Sequence, residues 1–154
     1  MSDWPLTRLD ELIDVKHGFA FKGHEITTDK TECVLVTPGN FAIGGGWKDS
    51  KKYLRGYPPN EYEFSPGDLV VTMTDLSKET DTLGYSAKIP NDGRIYAHNQ
   101  RVGRVVIKGG DPEFLYWLMR TREYQWHCVA SASGTSVMHT SPSRIKEFEF
   151  NCPP

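Results

Sequence analysis

The sequence predicts an α+β domain built around a twisted, mostly antiparallel β-sheet, with a short N-terminal helix and two helices near the C-terminus. Three observations lead to this prediction. Apolar residues recur at helical spacing at the start of the chain and again after residue 111. Short segments rich in β-branched residues lie between these regions, separated by glycine- and proline-containing turns. At 154 residues, the chain is long enough for one domain with its own core.

The N-terminal segment is predicted to form an amphipathic helix followed by an extended segment. Thr7 can cap the helix, and leucines together with Ile13 recur on one face. Alternation through residues 18–21 indicates a half-buried extended segment that turns at Gly23. Its two phenylalanines are expected to lie in the core.

Five further segments have the composition of strands and two that of helices. The predicted strands are residues 33–37, 69–74, 84–89, 102–107 and 145–150. Asp111-Pro112 supplies a cap and a first-turn proline for one helix, and a second helix covers about residues 123–131. Residues 44–60 are the least regular stretch and are predicted to form a long, exposed, basic and aromatic loop.

Composition narrows the possible classes. The net charge of −2 does not indicate nucleic-acid binding, but basic blocks at residues 16–55 and 94–146 alternate with acidic ones and could form a positive face. A mixed, solvated surface fits the same charges equally well. The three cysteines form no CxxC pair, so we expect reduced thiols rather than a zinc site or disulfides. Without a signal peptide or an apolar membrane-spanning segment, we expect a soluble, cytoplasmic protein.

Five motifs follow one another along the chain. They are Trp4, Leu9, Leu12 and Ile13 followed by Gly18-Phe19-Ala20-Phe21-Lys22; Tyr62 and Pro66-Gly67-Asp68 with the strand to Asp75 and Leu83-Gly84; Asn99-Gln100-Arg101-Val102-Gly103; Phe114-Leu115-Tyr116-Trp117-Leu118; and Gly134-Thr135 with Ser141, Ile145, Phe148 and Pro153-Pro154. In this order they resemble the target-recognition domains of type I restriction-modification specificity subunits. Each motif alone is weak, whereas five in the right order are considerably more specific.

The resemblance implies DNA recognition without catalysis by this chain. In the family, two such domains each recognise one half of an interrupted double-stranded DNA target. Methyltransferase partner subunits methylate adenine, and a translocase-nuclease restriction subunit can join them. S-adenosylmethionine, ATP and Mg²⁺ would belong to those partners. A long spacer helix usually follows the paired prolines. Because this sequence stops at Pro154, we expect residues 1–154 to be a single recognition domain without the spacer.

The first candidate for DNA contact is the predicted basic loop. Arginine, lysine, asparagine and glutamine are the side chains that anchor phosphates or read base edges, and aromatic rings add flat contact surface. The candidates here are Trp47, Lys48, Lys51, Lys52 and Tyr53. In the alternative interpretation, Trp47 packs on the core and the lysines serve solubility.

A second candidate is the end of the strand at residues 69–74 and the loop after it. Thr74, Asp75, Ser77 and Lys78 could enter the major groove, with Lys78 on phosphate and Ser77 or Asp75 on a base edge. Asp75 would also repel phosphate, so a local capping role is an equally good interpretation.

Two further groups complete the candidates. Arg101 is expected to contact backbone or phosphate, while Asn99 and Gln100 are expected to make structural hydrogen bonds, because base-reading residues should vary within the family. The polar residues after Gly134 could bind phosphate through backbone N–H and hydroxyl groups, or could simply end a helix. These residues are Thr135, Ser136, His139 and Arg144.

Two other classes of function remain open at this point. Asp75, Glu79 and Asp81 could hold a metal ion in a self-contained nuclease, although they lie in a loop without a convincing catalytic lysine. The acidic block at residues 56–93 motivates a protein-interaction module instead. The five histidines show no metal-ligand spacing, so we predict no metal site.

Overall fold

The computed structural model describes residues 3–75, 81–134 and 137–154. Within these ranges the chain has an α+β fold of short strands, three α-helices and several single 3₁₀ turns. The strands are β1 Leu6–Arg8, β2 Ile13–His17, β3 Ile26–Thr27, β4 Cys33–Val36, β5 Tyr53–Leu54, β6 Leu69–Thr72, β7 Thr74–Asp75, β8 Ser86–Lys88, β9 Ile95–His98, β10 Val102–Ile107, β11 Met138–His139 and β12 Glu149–Asn151. The helices are α1 Pro112–Leu118, α2 Arg122–Ala130 and α3 Pro142–Lys146.

The strands form two four-stranded sheets rather than the single predicted sheet. The first has the order β2-β10-β6-β8 and is antiparallel throughout. The second has the order β3-β5-β4-β9, and its β4–β9 pair is parallel. Two small antiparallel ladders, β1–β12 and β7–β11, complete the pairing. The prediction of mostly antiparallel pairing is therefore confirmed.

Alternation along the central strands explains the layering. On β6, Val71 belongs to the apolar cluster that also contains residues of all three helices, whereas Val70 belongs to the cluster shared with β4. On β4, Val34 packs in the latter cluster, whereas Leu35 packs in a third one with Phe21. Because both faces of β6 and β4 are covered, their sequences are continuous apolar runs.

The predicted N-terminal helix is wrong. Leu6 is exposed and lies in β1, which pairs with β12, and a 3₁₀ turn at Leu9–Glu11 leads into β2. The Thr7 hydroxyl donates to the Pro5 carbonyl instead of capping a helix. A helix of this length is marginal without tertiary support, so pairing with a distant strand outweighs the local periodicity.

Three other local predictions are corrected. Part of the predicted loop forms β5, whose Tyr53 and Leu54 are buried in pairings with β3 and β4. The first residues of the predicted final strand belong to helix α3 instead. This helix begins there because Ser141 accepts the Arg144 amide and Pro142 occupies the first turn. Phe19, expected in the core, is 38% exposed.

Two further findings concern the chain as a whole. The cysteines of the described residues are free, with Cys33 and Cys128 buried and Cys152 partly buried. Across residues 3–75, 81–134 and 137–154, no helix has the length and apolar character needed to cross a membrane.

Candidate nucleic-acid interface

The loop between β4 and β5 carries three exposed lysines on a firmly held backbone. The amide of Lys48 donates to the Asn40 carbonyl at 2.8 Å, and the Asn40 side chain donates back to the Lys48 carbonyl. The Lys52 carbonyl accepts the amide of Leu35. With Lys51, these side chains are exposed, so their ammonium groups are accessible from a fixed backbone.

The two aromatic residues of this loop do not share that accessibility. Trp47 packs edge-on against Tyr96, with ring centroids 5.5 Å apart, and its Nε1 donates to Asp49. This arrangement matches the alternative in which Trp47 packs on the core. Tyr53 is 8% exposed in β5. Its proposed contact with DNA is therefore corrected to a structural role.

The turn at residues 99–101 presents two exposed polar side chains from a buried anchor. Asn99 is buried, and its Oδ1 accepts the amide of Arg101 at 3.0 Å, as expected for a structural asparagine. Arg101 is exposed, and so is Gln100, for which the sequence predicted a structural hydrogen bond instead. Gly103 closes the motif where β10 approaches β2, because an added Cβ would lie 2.5 Å from Val15.

Lys52 and Arg101, far apart in sequence, face the same cleft. The cleft has a volume of about 290 Å³, and we call it the Lys52–Arg101 cleft. Phe21, Ile26 and Leu35 contribute its apolar lining, whereas Lys52, Gln100 and Arg101 contribute its polar and cationic lining. A cationic rim on an apolar floor suits the anionic backbone and the flat apolar surfaces of a nucleic acid.

The carboxylate of Asp75 ties strand β7 to residues 82 and 83. The Asp75 carboxylate is fully buried and accepts the amides of Thr82 and Leu83 at 2.9 and 3.0 Å. Of the two interpretations of Asp75, this geometry supports the local cap. Thr74 is also buried, and its hydroxyl lies 3.1 Å from Nδ1 of His139. The candidates Ser77 and Lys78 lie outside the described residues.

The third candidate segment, around β11, joins the same region through Met73. The Met73 amide donates to the Arg101 carbonyl, and its carbonyl accepts the Thr140 amide, both at 2.9 Å. His139 on β11 is exposed. Thr135 and Ser136 lie outside the described residues. The structure thus connects the 99–101 turn with β11 through one backbone unit.

Arg144 lies apart from this connection. It belongs to α3, which packs against β2 and α2. Its carbonyl accepts Nε2 of His127 at 2.5 Å. No described contact links Arg144 to the Lys52–Arg101 cleft, so its role in DNA binding stays a prediction.

Sequence reasoning missed a second cavity, of about 260 Å³. Its lining includes Lys16, His17, Tyr62 and Arg104. The exposed ring of Phe19 connects the two concavities, because it contacts Phe21 of the cleft at 4.9 Å and Tyr62 at 5.2 Å between ring centroids. A basic pair directly before Gly18-Phe19 was the available sequence signal.

A buried histidine, His98, lines the second cavity. Burial lowers the pKa of His98 to about 4, so its ring is neutral near pH 7. Its Nε2 then donates to the Val102 carbonyl at 2.6 Å. The His98 carbonyl accepts the amide of Phe19 at 2.8 Å. These bonds fix the backbone of Phe19 relative to the 99–101 turn.

Comparison with known proteins finds sequence similarity to a type I specificity subunit. A type I restriction enzyme specificity subunit from Methanocaldococcus jannaschii is 24% identical over 131 residues, which are 80% of this chain and 29% of that protein. No known protein-family profile matches the chain.

Solved structures show the same fold. The type I restriction-modification S subunit from M. genitalium matches with a TM-score of 0.62 at 18% identity, over 96% of this chain and 33% of that one. The HsdS subunit from Thermoanaerobacter tengcongensis matches with a TM-score of 0.58 at 12% identity, over 98% and 33%. A chain from a structure that describes complex assembly and conformational transition of the type I R-M system matches with a TM-score of 0.64 at 10% identity. The match covers 98% of this chain and 34% of that one.

The chain therefore spans about a third of the length of the proteins it matches. Nearly all of its own length is included in the structural matches. The resemblance to target-recognition domains of type I specificity subunits, which the five sequence motifs predict, is confirmed by these sequence and fold similarities.

Proposed function

We propose that this chain is a sequence-specific DNA-binding domain that recognises one half of a bipartite target for type I restriction-modification. The single observation that carries the proposal is the fold: 96–98% of the chain matches about a third of each specificity-subunit structure. The Lys52–Arg101 cleft adds a chemical reason, because residues from separate segments place cationic and amide side chains beside an apolar surface.

In this proposal the domain performs no chemistry of its own. Methyltransferase subunits, and in restriction a translocase-nuclease subunit, would supply adenine methylation and DNA cleavage. S-adenosylmethionine, ATP and Mg²⁺ would be bound by those partners. The assembly would act in the cytoplasm, where its DNA substrate is.

The proposed contacts divide by accessibility. Exposed side chains on the β4–β5 loop, the 99–101 turn and β11 would face DNA. These are Lys48, Lys51, Lys52, Gln100, Arg101 and His139. Ser77, Lys78, Thr135, Ser136 and Arg144 remain proposed contacts because of their residue types. Buried residues such as Asp75 would instead hold the backbone in position.

Neither alternative function gains support from the side-chain arrangement. A nuclease centre would need Asp75 as a metal ligand, yet its Oδ2 accepts two backbone amides. An acidic interaction surface would draw on the carboxylates in residues 56–93. In that block, Asp68 accepts the Ser65 amide and Asp92 accepts the Tyr96 hydroxyl, so these two acids serve local structure. Glu61 and Glu63 are exposed, but Glu61 lies beside Lys16, His17 and Arg104 rather than in an acidic cluster.

The decisive experiment is a domain transplant. Residues 4–154 would replace one recognition domain of a working type I specificity subunit, expressed with its methyltransferase partners in cells without other methylation. Long-read sequencing would then report methyladenine motifs. We expect a new bipartite motif in which the half read by the retained domain is unchanged.

Two controls make the result interpretable. Copurification of the hybrid with its methyltransferase partners establishes assembly. A hybrid carrying Lys52→Gln and Arg101→Gln tests the cleft, and we expect it to assemble but to methylate poorly. An assembled wild-type hybrid that methylates no motif would refute the proposed function.

A further inference from the structure

We propose that the second cavity binds a backbone phosphate of the target DNA. DNA contact would then extend from the Lys52–Arg101 cleft, past Phe19, to the end of β2. This inference rests on the proposed function, because it adds an anchoring point to the same interface. The cavity residues Lys16, His17 and Arg104 were not among the sites predicted from the sequence.

The charge of the cavity suits an anion. Lys16 and His17 are exposed and form no ion pair with any residue in the described part of the chain. Arg104 adds a second permanent charge. Glu61 is the single acid among the six residues that line the cavity. A group with several acceptor oxygens can use these donors together, as phosphates commonly do with lysine and arginine.

Arg104 is held in place but retains unused hydrogen-bonding capacity. Its Nη2 donates to the Glu63 carbonyl at 2.6 Å, and its guanidinium lies 4.9 Å from the centre of the Phe64 ring. Its buried Nε forms an ion pair with the Asp68 carboxylate at 3.8 Å, which is too long for a hydrogen bond. The Arg104 side chain is 24% exposed, so donors of the guanidinium other than Nε remain for a phosphate oxygen.

The backbone connects this cavity rigidly to the candidate interface. Phe19 donates its amide to the His98 carbonyl and forms a parallel bridge with Asn99. At Gly18 the two segments are so close that an added Cβ would lie 2.2 Å from the Asn99 carbonyl oxygen. The distance between the backbone of the second cavity and the 99–101 turn is therefore fixed. A fixed distance favours one continuous ligand that contacts both places.

Aromatic groups beside the donors favour a nucleic acid over a simple anion. Tyr62 lines the cavity, and the 38% exposed ring of Phe19 contacts it. Sugar and base surfaces carry apolar area that such rings can cover while lysine and arginine hold the phosphate. The continuity with the Lys52–Arg101 cleft makes the DNA backbone the source of that phosphate.

The test measures how salt weakens binding of the whole chain to a fluorescent mixed-sequence duplex. Each phosphate contact contributes about 0.9 to the slope of log affinity against log salt. Lys16→Gln is compared with Lys108→Gln, which removes the same charge at the opposite end of β10. Lys52→Gln serves as the comparator for the cleft. Unfolding midpoints in urea confirm that each variant is folded.

We expect Lys16→Gln to reduce the slope by about one and to weaken binding roughly fivefold to tenfold near 0.1 M salt. Lys108→Gln should leave the slope unchanged. If Lys52→Gln reduces the slope while Lys16→Gln behaves like Lys108→Gln, this inference is overturned and the proposed function stands. If the wild-type chain shows no salt-dependent DNA binding, both are overturned.

Discussion

Replacing Gly103 with alanine tests how tightly the 99–101 turn is built into the first sheet. An added Cβ would lie 2.5 Å from Cγ1 of Val15 and 3.1 Å from Cγ2 of Val71. Both valines are buried and rotate little about χ1, so β2 or β6 must shift. Overpacking of this kind costs about 1–3 kcal/mol, partly offset by the lower entropy cost of ordering alanine in a strand. We expect a loss of about 2 kcal/mol in unfolding free energy.

A double-mutant cycle with Val15→Ala identifies the cause. Val15→Ala alone should also destabilise the chain, because it removes buried apolar surface. It also removes the atom nearest the new methyl group. The double variant should therefore be at least about 1 kcal/mol more stable than the sum of the single effects predicts.

The assay is urea unfolding followed by circular dichroism, with the slope against urea compared between variants. Gly56→Ala is the matched control, because an added Cβ there meets no heavy atom within 4 Å. Its unfolding free energy should change by less than about 1 kcal/mol, towards greater stability. Strictly additive effects of Gly103→Ala and Val15→Ala would refute the close approach of β10 and β2 as the reason for the glycine.

Three further predictions concern buried polar groups. The folded pKa of His98, about 4, lies below its unfolded value, so the stability that its neutral ring contributes is complete above about pH 6.5 and is lost as pH falls towards 4, by up to about 3 kcal/mol. Urea titrations at several pH values should show that the unfolding free energy of His98→Gln depends less on pH. An unchanged pH dependence would contradict the assignment. Asp75→Asn should lower the unfolding free energy by roughly 2 kcal/mol, because two hydrogen bonds to backbone amides are weakened. The same substitution should leave the methylation motif of the transplanted domain unchanged. An altered motif would make Asp75 a base-reading residue. Burial raises the pKa of Cys33 to about 11 and that of Cys128 to about 12. A thiol reagent at about pH 8 should therefore label Cys152 first, as followed by mass spectrometry. Equal labelling rates of the three cysteines without urea would count against their burial.

Local sequence signals predicted those elements whose cause is local. The start of α1 follows from Asp111, which accepts the Glu113 amide, and from Pro112 in the first turn. The buried strands β4 and β6 follow from runs of β-branched and apolar residues covered on both faces. The prediction of an N-terminal helix was wrong because the segment forms β1, which pairs with β12 at the other end of the chain. Periodicity within a short window contains no information about such a partner.

The candidate site was predictable by residue type but not by arrangement. The sequence predicted Lys52 and Arg101 as candidates because they are cationic residues in basic segments. It also predicted the structural role of Asn99, whose side chain makes a local hydrogen bond to the amide of Arg101. Their meeting across one cleft depends on the positions of β4 and β9 in the second sheet, which arise from non-local pairing. Tyr53 was misassigned for the same reason, since an aromatic residue in a basic loop gives no sign of a strand that buries it.

Under the proposed function, the separation of buried scaffold from exposed side chains would let such a domain change its DNA specificity without changing its fold. Met73 joins the 99–101 turn to β11 through its own amide and carbonyl, so side-chain substitutions at exposed neighbours leave that connection intact. Gln100 and Arg101 extend from a turn whose geometry depends on buried Asn99. A fold maintained by backbone bonds and core packing tolerates extensive substitution at its exposed positions. Structural matches over nearly the whole chain at 10–18% identity are what this division of roles predicts.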